Sequence, residues 1–235
     1  MQDKELPFIQ NMFDAIAPKY DLLNRLLSLR QDVIWRKKLV RSLCPKKNDL
    51  ILDVACGTGD VALAICDTDT SKLKVVGVDF APQMLVNAHK KVQMSKQSEK
   101  ISLLAADALS LPFKDAVFDA VTIAFGIRNI VNKDLVLKHF FKSLKSGGRL
   151  LILELTTPSE GFFRWVYLHY FQKLLPLIGT IFSKNNYAYQ YLPDSVLKFP
   201  SAEKFASMMT SAGFYKVKWS PLTLGIATLF VGHKP

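Results

Sequence analysis

The chain has 235 residues, of which 49% are hydrophobic, and it carries a formal net charge of +11. A chain of this length and composition can bury one sizeable core, so we expect a single domain over residues 1–235. The three cysteines lack the spacing of a metal site, and we expect reduced thiols, no bound metal and a cytoplasmic location. The polar, mixed-charge N-terminus does not indicate a secretory signal.

Residues 8–44 are expected to form helices, with Phe13, Ile16, Ala17 and Tyr20 on one stripe. A cluster of basic residues follows this stripe and consists of Arg25, Arg30, Arg36, Lys37, Lys38, Arg41, Lys46 and Lys47. A basic amphipathic helix is typical first of a solvated surface and second of contact with an anionic membrane. Nucleic acid is the least favoured partner, because no RNA-recognition motif with interleaved aromatic residues accompanies the cluster.

A glycine turn with the sequence DVACGTGD occupies residues 53–60. The apolar run 50–52 before it and the run 61–65 after it predict a buried parallel strand followed by a helix. Gly57 and Gly59 have no Cβ, so a ligand can lie against the backbone of the turn.

An acidic residue, Asp79, ends the next predicted strand, which covers residues 73–79. A carboxylate at the tip of the second strand, beside a glycine turn after the first, can accept hydrogen bonds from both hydroxyls of a ribose. Together these two features predict a nucleoside-bearing cofactor.

The residues around the turn favour S-adenosylmethionine as that cofactor. The dinucleotide fingerprint G-x-G-x-x-G needs a third glycine, which is absent here, and Asp60 at the helix start would repel a pyrophosphate. A cofactor with a sulfonium and an ammonium group suits an acidic loop with Asp53 before the turn and Asp60 after it. The alternative is an ordinary strand-to-helix turn in which the aspartates act as caps.

Strands and helices alternate through the middle of the chain, which predicts an α/β fold with a Rossmann-like, mostly parallel seven-stranded sheet. We expect strands near 50–55, 73–79, 101–105, 118–124 and 149–155, and helices near 60–66, 82–94 and 133–144. A glycine hinge over 145–149 is expected to end the last of these helices. The C-terminal elements are expected to be a helix near 202–212 and antiparallel strands near 214–219 and 224–232, with Pro221 and Gly225 at their turn.

Residues 158–200 interrupt the alternation between a cofactor-binding core (48–157) and the C-terminal helix and strand pair (201–235), and we expect them to form an inserted helical lid. Polar residues, proline and glycine interrupt its aromatic part, residues 162–182, too often to predict a membrane span. The tyrosines of the following segment, 187–195, belong either to the core or to a flat aromatic site.

Two further groups of polar residues are expected at the carboxyl ends of strands, where ligands bind in such sheets. Asp107, beside Ala108, follows the third strand and could accept the exocyclic amine of adenine, although aspartate is also common in turns. Arg128 and Asn129 follow the fourth strand among apolar neighbours, which favours groups that position a substrate. The alternative for Arg128 is a structural ion pair with a carboxylate on a helix.

Several stretches of the chain form a pattern that extends almost from end to end. They are F-D-x-I-A-x-x-Y-D-x-x-N (13–24), Trp35-Arg36, the glycine turn, F-G-I-R-N (125–129), K-x-G-G-R-L (145–150), Y-x-Y-L-x-x-S (189–195) and Phe199-Pro200. In these stretches the chain resembles the quinone-biosynthesis C-methyltransferases, the demethylmenaquinone and polyprenyl-benzoquinol methyltransferase family. Leu23 and Asp32 depart from that family's usual Met and His, and Asp32 argues against a proton-transfer role at its position.

The resemblance implies the class I S-adenosylmethionine-dependent methyltransferase fold and methyl transfer to a ring carbon of a prenylated quinol. It favours demethylmenaquinol as substrate, with a polyprenyl benzoquinol or another small molecule as alternatives. The expected cofactor-binding residues are Asp53, Gly57, Thr58, Gly59, Asp79, Asp107, Ala108 and Phe125. The expected catalytic residues are Tyr20, Arg128 and Asn129, and the candidates for the final base are Tyr20 and Asp14.

Other classes of function stay open at this point. A nicotinamide-dependent oxidoreductase is disfavoured by the missing third glycine, and a non-catalytic binding module leaves the glycine turn unexplained. A methyltransferase acting on RNA is a further alternative. Because the prenyl chain of the inferred substrate stays in the bilayer, we also expect peripheral contact with an anionic membrane through the basic helix and the lid. The sequence leaves a homodimer open.

Overall fold

The computed structural model of the chain describes residues 2–68, 70–158, 161, 164, 165, 169 and 187–235. Within them the helices are α1 (Gln2–Ile16), α2 (Tyr20–Leu27), α3 (Gln31–Leu43), α4 (Asp60–Cys66), α5 (Pro82–Met94), α6 (Lys133–Ser143), α7 (Tyr187–Leu197) and α8 (Ala202–Ser211). The strands are β1 (Leu50–Val54), β2 (Lys74–Asp79), β3 (Ile101–Ala105), β4 (Phe118–Ala124), β5 (Leu144–Leu155), β6 (Tyr215–Leu222) and β7 (Ala227–His233). Short 3₁₀ turns cover Ala17–Lys19, Ile127–Asn129 and Thr223–Gly225.

These strands form one sheet in the order β3-β2-β1-β4-β5-β7-β6. All neighbouring pairs run parallel except the two made by β7, which is antiparallel to β5 and to β6. The strand order reverses between β1 and β4, and in open α/β sheets a ligand binds at the carboxyl edge beside such a reversal. The predicted seven-stranded, mostly parallel sheet is confirmed.

Helices cover both faces of the sheet, as its doubly wound order requires. Successive residues of β1 belong to the two layers, because side chains alternate across a strand. Ile51 packs with α3 and α4 through Leu39 and Ile65, while Leu52 belongs to the layer that holds α6 and α8. In that second layer the rings of Phe205 of α8 and Phe230 of β7 pack with 4.9 Å between their centroids. Burial of each such side chain contributes about 1.5–3 kcal/mol, so the two layers hold the sheet rigid beneath the site.

The predicted N-terminal stripe packs against the end of β2. Phe13, Ile16 and Tyr20 lie against a small cluster that includes Ala81 and Met84. Helix α1 begins at Gln2, earlier than the residue 8 expected from the apolar pattern. The result is that α1 and α2 stand beside the carboxyl edge of the sheet.

The glycine hinge at 145–149 is part of a strand rather than a connection. Helix α6 ends at Ser143, as expected within one residue, but β5 begins at once with Leu144, which pairs with Phe118. The pairing register with β4 then shifts, and Gly147 has a φ of +75° at this irregularity. The glycines therefore accommodate a bulge within β5, where a positive φ is needed.

The predicted turn near Pro221 also lies elsewhere. Pro221 is inside β6, and the connection to β7 is the 3₁₀ turn Thr223–Gly225. Strand β6 is at the edge of the sheet, where a proline costs no ladder hydrogen bond to a second neighbour.

The aromatic part of the expected lid, residues 162–182, lies outside the described residues except for residues 164, 165 and 169. The segment 187–195, expected as a tyrosine-rich continuation, forms most of α7. Val196 of α7 is buried and packs against Leu155. Within the described part of the chain, no helix is both long enough and apolar enough to cross a membrane.

Candidate active site

A cavity of about 380 Å³ lies at the carboxyl edge of the sheet. Residues after β1, β2, β3 and β4 form its base, and Pro7, Ile9 and Phe13 of α1 contribute a wall that the sequence did not predict. The predicted site residues that line it are Tyr20, Gly57, Asp79, Asp107, Ala108, Phe125 and Asn129. The predicted residues that do not line it are Asp53, Thr58, Gly59 and Arg128.

The Asp79 carboxylate is fixed at the tip of β2 by backbone amides. The N–H of Gly57 donates to Oδ2 over 2.7 Å, and the N–H of Ala81 donates to Oδ1 over 2.9 Å. Burial raises the pKa of Asp79, while these amides and that of Phe80 act in the opposite direction. Each carboxylate oxygen has two lone pairs, so one on each stays available for a ligand hydroxyl. This geometry suits the two hydroxyls of a ribose.

The backbone of the glycine turn faces the same cavity. Ala55, Gly57 and Gly59 all have positive φ, at +49°, +55° and +83°. A Cβ on Gly57 would lie 3.9 Å from Cε1 of Tyr20, so the turn and the aromatic ring enclose a narrow space. The absence of a side chain at this position lets a ligand enter between them.

The side chain of Asp107 braces the loop after β3. Its Oδ1 accepts a hydrogen bond from the N–H of Leu109 over 2.9 Å, which is an Asx-type turn. Among the described residues Oδ2 has no hydrogen-bonding partner and is the acceptor left for a ligand amine. Ala108 and Leu109 add apolar wall beside it.

The side chain of Thr58 is held by other residues and does not line the cavity, and its expected role in holding the cofactor stays a prediction. Its Oγ1 donates to Oδ1 of Asp21 over 2.6 Å and accepts from Nζ of Lys91 over 2.8 Å. Lys91 also binds Oδ1 of Asp60 at 2.6 Å, and Nη1 of Arg36 lies 3.8 Å from the other oxygen of Asp60. The charge of Asp60 is therefore balanced by cations, and the argument that it favours a cationic ligand is wrong.

Asp53 and Gly59 have structural surroundings rather than cavity contacts. Asp53 is 1% exposed, and its Oδ1 accepts from Oγ1 of Thr122 over 2.8 Å. Its Oδ2 makes no hydrogen bond of ordinary geometry within the described residues, and burial raises the pKa of Asp53 to about 7. A Cβ on Gly59 would meet the Cβ of Ala88 at 3.4 Å, so this glycine allows α4 to approach α5.

The floor of the cavity is the 3₁₀ turn Ile127–Asn129 after β4, and it is held from β5. Nη1 of Arg128 donates to Oε1 of Glu154 over 2.8 Å, and the backbone N–H of Arg128 donates to Oε2 over 3.0 Å. Nη1 also binds the carbonyl of Phe125. Burial alone would lower the pKa of Arg128, but the Glu154 carboxylate together with Tyr20 and Tyr191 outweighs it and raises that pKa, so the guanidinium stays charged.

The ion pair bears on the structural alternative given for Arg128. Arg128 does pair with a buried carboxylate, but that carboxylate lies on a strand rather than on a helix. Glu154 was missed, although one glutamate within the apolar run LLILEL of β5 is a signal that could have revealed it. A carboxylate in a buried strand requires a partner.

Helix α7 supplies further contacts of the floor. Oγ of Ser195 accepts from Nε of Arg128 over 3.3 Å, and the hydroxyl of Tyr191 donates to Oδ1 of Asn129 over 3.1 Å. The Asn129 amide is thereby oriented, and in the described structure its Nδ2 is left as a donor for a ligand. A Cβ on Gly126 would lie 2.6 Å from that of Ala55, so the loops after β1 and β4 meet only because this residue is glycine.

Tyr20 covers the cavity as a hydrogen-bond donor rather than as a base. Burial raises the pKa of Tyr20, against the opposing influence of Arg128 and Arg36. The other candidate base, Asp14, does not line the cavity, and its Oδ1 accepts from the N–H of Gln83 at the start of α5. Neither side chain has the surroundings of a general base.

The Trp35-Arg36 stretch lies behind the cavity. The centroids of the Trp35 and Phe125 rings are 6.1 Å apart, and the Arg36 guanidinium carbon lies 5.3 Å from the centroid of Phe125. Arg36 is 8% exposed and is ion-paired with Asp32, whose carboxylate also accepts from Oγ of Ser28. Asp32 therefore has a structural role, and Arg36 does not belong to the solvated basic surface.

Comparison with known proteins identifies the family of the chain. The family description "ubiE/COQ5 methyltransferase family" matches residues 1–234. The chain is 48% identical to a ubiquinone/menaquinone biosynthesis C-methyltransferase of Geotalea uraniireducens, over 96% of each chain. It is 46% identical to a demethylmenaquinone methyltransferase of Thermus thermophilus, over 95% of this chain and 100% of that one.

A solved structure supports the fold alone. It is a SAM-dependent methyltransferase of Thermotoga maritima, a possible histamine N-methyltransferase, with a TM-score of 0.67 and 20% identity over 96% of this chain and 99% of that chain. The two alternatives of an oxidoreductase and a non-catalytic module are set aside, because the match to a methyltransferase family covers nearly every residue. The chain belongs to the ubiE/COQ5 methyltransferase family.

Proposed function

We propose that this protein transfers the methyl group of S-adenosylmethionine to a ring carbon of a prenylated quinol. Demethylmenaquinol is the favoured substrate, and a polyprenyl benzoquinol is the alternative, since the names of its relatives include both quinone classes. The observation that carries the proposal is one cavity that joins the Asp79–glycine turn to a polar floor at Asn129.

The cofactor half of the cavity fits S-adenosylmethionine. Asp79 offers a lone pair on each carboxylate oxygen for the ribose, and Asp107 offers Oδ2 for the exocyclic amine of adenine. Ala108 and Leu109 provide apolar surface for the base, and Gly57 exposes backbone to the rest of the molecule. When bound, S-adenosylmethionine supplies an electrophilic methyl group on a sulfonium.

The other half fits an aromatic ring that carries a hydroxyl. Nδ2 of Asn129 and the hydroxyl of Tyr20 are donors at the cavity wall, and the Arg128 cation stands behind them. A positive charge and two donors stabilise a phenolate, which makes the ortho carbon of the ring nucleophilic. Because Arg128 already binds Glu154, Ser195 and the Phe125 carbonyl, it acts mainly through its charge.

The protein lowers the reaction barrier mainly by aligning the ring carbon with the methyl group. A near-attack geometry can lower the barrier by roughly 7–11 kcal/mol, and the fixed turns after β1 and β4 supply such alignment. The ring proton leaves after the new carbon–carbon bond has formed, when restoration of aromaticity makes it acidic. Since neither Tyr20 nor Asp14 has the surroundings of a base, we assign the proton to solvent.

Peripheral membrane contact of a cytoplasmic enzyme is the second part of the proposal, because a prenylated substrate stays in the bilayer. Helices α2 and α3 and the turn between them expose four aliphatic side chains: Leu22 (68% exposed), Leu26 (45%), Leu29 (81%) and Ile34 (57%). The same segment exposes four basic residues, namely Arg25, Arg30, Lys37 and Lys38. We call these eight residues the α2–α3 patch.

The charge of the patch favours an anionic lipid surface. Each basic side chain near such a surface contributes about 1 kcal/mol, and the aliphatic side chains can enter the interface. We expect flotation with anionic vesicles that fades as salt rises, and little with neutral vesicles. The variant Lys37→Glu/Lys38→Glu should float less, whereas Lys138→Glu/Lys142→Glu, with the same change of charge on α6, should float as the wild type. Equal flotation of both variants would contradict the assignment of this surface.

The enzymatic proposal is tested by incubating the protein with methyl-labelled S-adenosylmethionine and short-tailed quinols of the naphthalene and benzene series. We expect label in the quinol, with the naphthalene series preferred, and none when the oxidised quinones are offered, because their rings are electron-poor. Absence of label from every quinol, in a protein that binds S-adenosylmethionine, would contradict the proposed substrate class.

A further inference from the structure

We propose that Glu154 is the positioning residue of the site and that it acts through Arg128, together with the face of α7 that carries Tyr191 and Ser195. The inference rests on the proposed function, in which the Arg128 cation stabilises the quinol oxygen. It adds two elements that lie outside the cavity wall, one on β5 and one on α7.

One carboxylate holds both the side chain and the main chain of Arg128. Oε1 of Glu154 accepts from Nη1 of Arg128 at 2.8 Å, and Oε2 accepts from the backbone N–H of the same residue at 3.0 Å. Oε1 also accepts the N–H of Leu155 over 2.8 Å, which fixes the carboxylate on its own strand. Glu154 thus determines where the 3₁₀ turn lies and in which direction its guanidinium points.

The buried ion pair between Glu154 and Arg128 contributes little net stability, because burying two charges is unfavourable. Glu154 is fully buried and the side chain of Arg128 is 7% exposed, so both charges have lost most of their water. A buried ion pair of this kind is often no more stabilising than well-packed apolar residues of similar size. The residues around it on β5 are apolar, so an apolar packing was available. A requirement for a rigidly placed cation beside the cavity accounts for the pair.

Helix α7 contacts both floor residues from one face. Tyr191 and Ser195 are four positions apart, which places them on the same side of a helix. Tyr191 binds Asn129 and Ser195 binds Arg128, so the packing of α7 against the 3₁₀ turn orients both side chains of the floor. Helix α7 therefore takes part in positioning the floor.

Two substitutions of Glu154 test its side-chain length and its negative charge separately. Glu154→Asp keeps the charge but shortens the side chain by one methylene, so it cannot hold the guanidinium and the backbone N–H at once. We expect kcat to fall at least tenfold at all pH values, with the affinity for S-adenosylmethionine within twofold of the wild type.

Glu154→Gln keeps the length but leaves the Arg128 cation uncompensated. A stronger positive potential lowers the pKa of the bound quinol hydroxyl, so the acid limb of the kcat–pH profile should move to lower pH. A purely structural residue would lower kcat without moving that limb. Glu99→Gln removes an exposed carboxylate elsewhere and should leave both the rate and the limb unchanged.

Variants of α7 decide the matter if both Glu154 variants fail to fold. Tyr191→Phe and Ser195→Ala leave the ion pair intact and should each lower kcat about three- to tenfold, the effect of one hydrogen bond, with unchanged affinity for S-adenosylmethionine. Wild-type kcat in these variants, or an unmoved acid limb in Glu154→Gln, would overturn the inference while the proposed function stands. If the wild type itself methylates no quinol, the proposed function has failed instead.

Discussion

The two halves of the cavity are held in different ways. At the cofactor end, Asp79 is fixed by the backbone N–H groups of Gly57 and Ala81, so the polar contacts come from the loops themselves. At the floor, Arg128 is fixed by a buried carboxylate on β5 and by a hydroxyl on α7. Backbone amides fix a ligand site with little dependence on side chains, whereas the floor depends on groups far apart in the chain.

This difference suggests a division of labour. A nucleoside is bound by features that any strand–turn–helix unit can provide, and such sites recur on this fold. The placement of a cation beside a reacting ring needs contacts specific to one chemistry. Substitutions at the two ends should therefore affect different measurements, binding at one and turnover at the other.

The largest effect is expected at Arg128. Arg128→Ala should lower turnover of a short-tailed quinol by about 100-fold or more, because it removes the charge that stabilises the developing phenolate. It also leaves the buried Glu154 carboxylate without its cationic partner, which costs about 3–5 kcal/mol of stability. Arg128→Lys keeps a charge for Glu154, but an ammonium cannot contact Glu154, Ser195 and the Phe125 carbonyl at once, so the charge shifts from its place beside the ring. This variant should fold yet recover little turnover. Calorimetry should show nearly unchanged affinity for S-adenosylmethionine in the Lys variant, and wild-type turnover in it would place catalysis elsewhere.

Asp79→Ala should show the opposite pattern. It removes the acceptor for the ribose and leaves the N–H groups of Gly57 and Ala81 unpaired, a loss of about 1–3 kcal/mol for each buried group. Affinity for S-adenosylmethionine should fall at least severalfold in a calorimetric titration, and the melting temperature should also fall modestly. Turnover at saturating S-adenosylmethionine should decrease less than affinity. An unchanged affinity would mean that the ribose lies elsewhere.

Asp53, which precedes the glycine turn, should make the free energy of unfolding depend on pH. Its pKa in the folded chain is raised to about 7, so the folded state holds this proton more tightly than the unfolded state. The contribution of Asp53 to the free energy of unfolding should therefore fall as the pH rises from the ordinary pKa of an aspartate to about 7, and it should change no further above that pH. Asp53→Asn removes this dependence, so urea denaturation should show it relatively more stable than the wild type at about pH 8 than at about pH 5. The same difference at both pH values would mean that the carboxylate is not protonated on folding.

Thr58→Val should have the smallest effect on the cofactor. The hydroxyl contacts Asp21 and Lys91 rather than the cavity, so affinity for S-adenosylmethionine should stay within about threefold. Stability should decrease by about 1–3 kcal/mol because two hydrogen bonds are lost, as measured by denaturation. Thr58→Ser keeps the hydroxyl and serves as the control. A loss of affinity comparable with that of Asp79→Ala would show that Thr58 does contact the cofactor.

Much of the cofactor end could be predicted because its signals are local. Neighbouring residues show the apolar run, the glycines and the acidic residue at the tip of the next strand. Because β1 and β2 run parallel, their carboxyl ends lie at the same edge of the sheet. The side chain of Thr58 contacts Asp21 and Lys91 because the side on which a turn residue points depends on its individual φ and ψ values, and its role toward the cofactor stays a prediction. The glycine spacing specifies the turn but not this direction.

The floor was predicted only in part because its partners are distant in sequence. Arg128 and Asn129 were recognised, but the pairing with Glu154 spans 26 positions and depends on β4 lying beside β5. The contacts with α7 span more than 60 positions. The wall from α1 was missed because its apolar residues indicate a helix without showing which cavity the helix covers.

Replacement of a ring hydrogen by a methyl group is the central claim, and a labelled substrate tests it most directly. A short-tailed demethylated naphthoquinol carrying deuterium at the acceptor carbon would be incubated with the protein and S-adenosylmethionine, and the product analysed by mass spectrometry. We expect the product to gain one methyl group and to lose the deuterium, since the new bond is to carbon. A methylated product that retains the deuterium would show transfer to oxygen and would contradict methylation of the ring carbon.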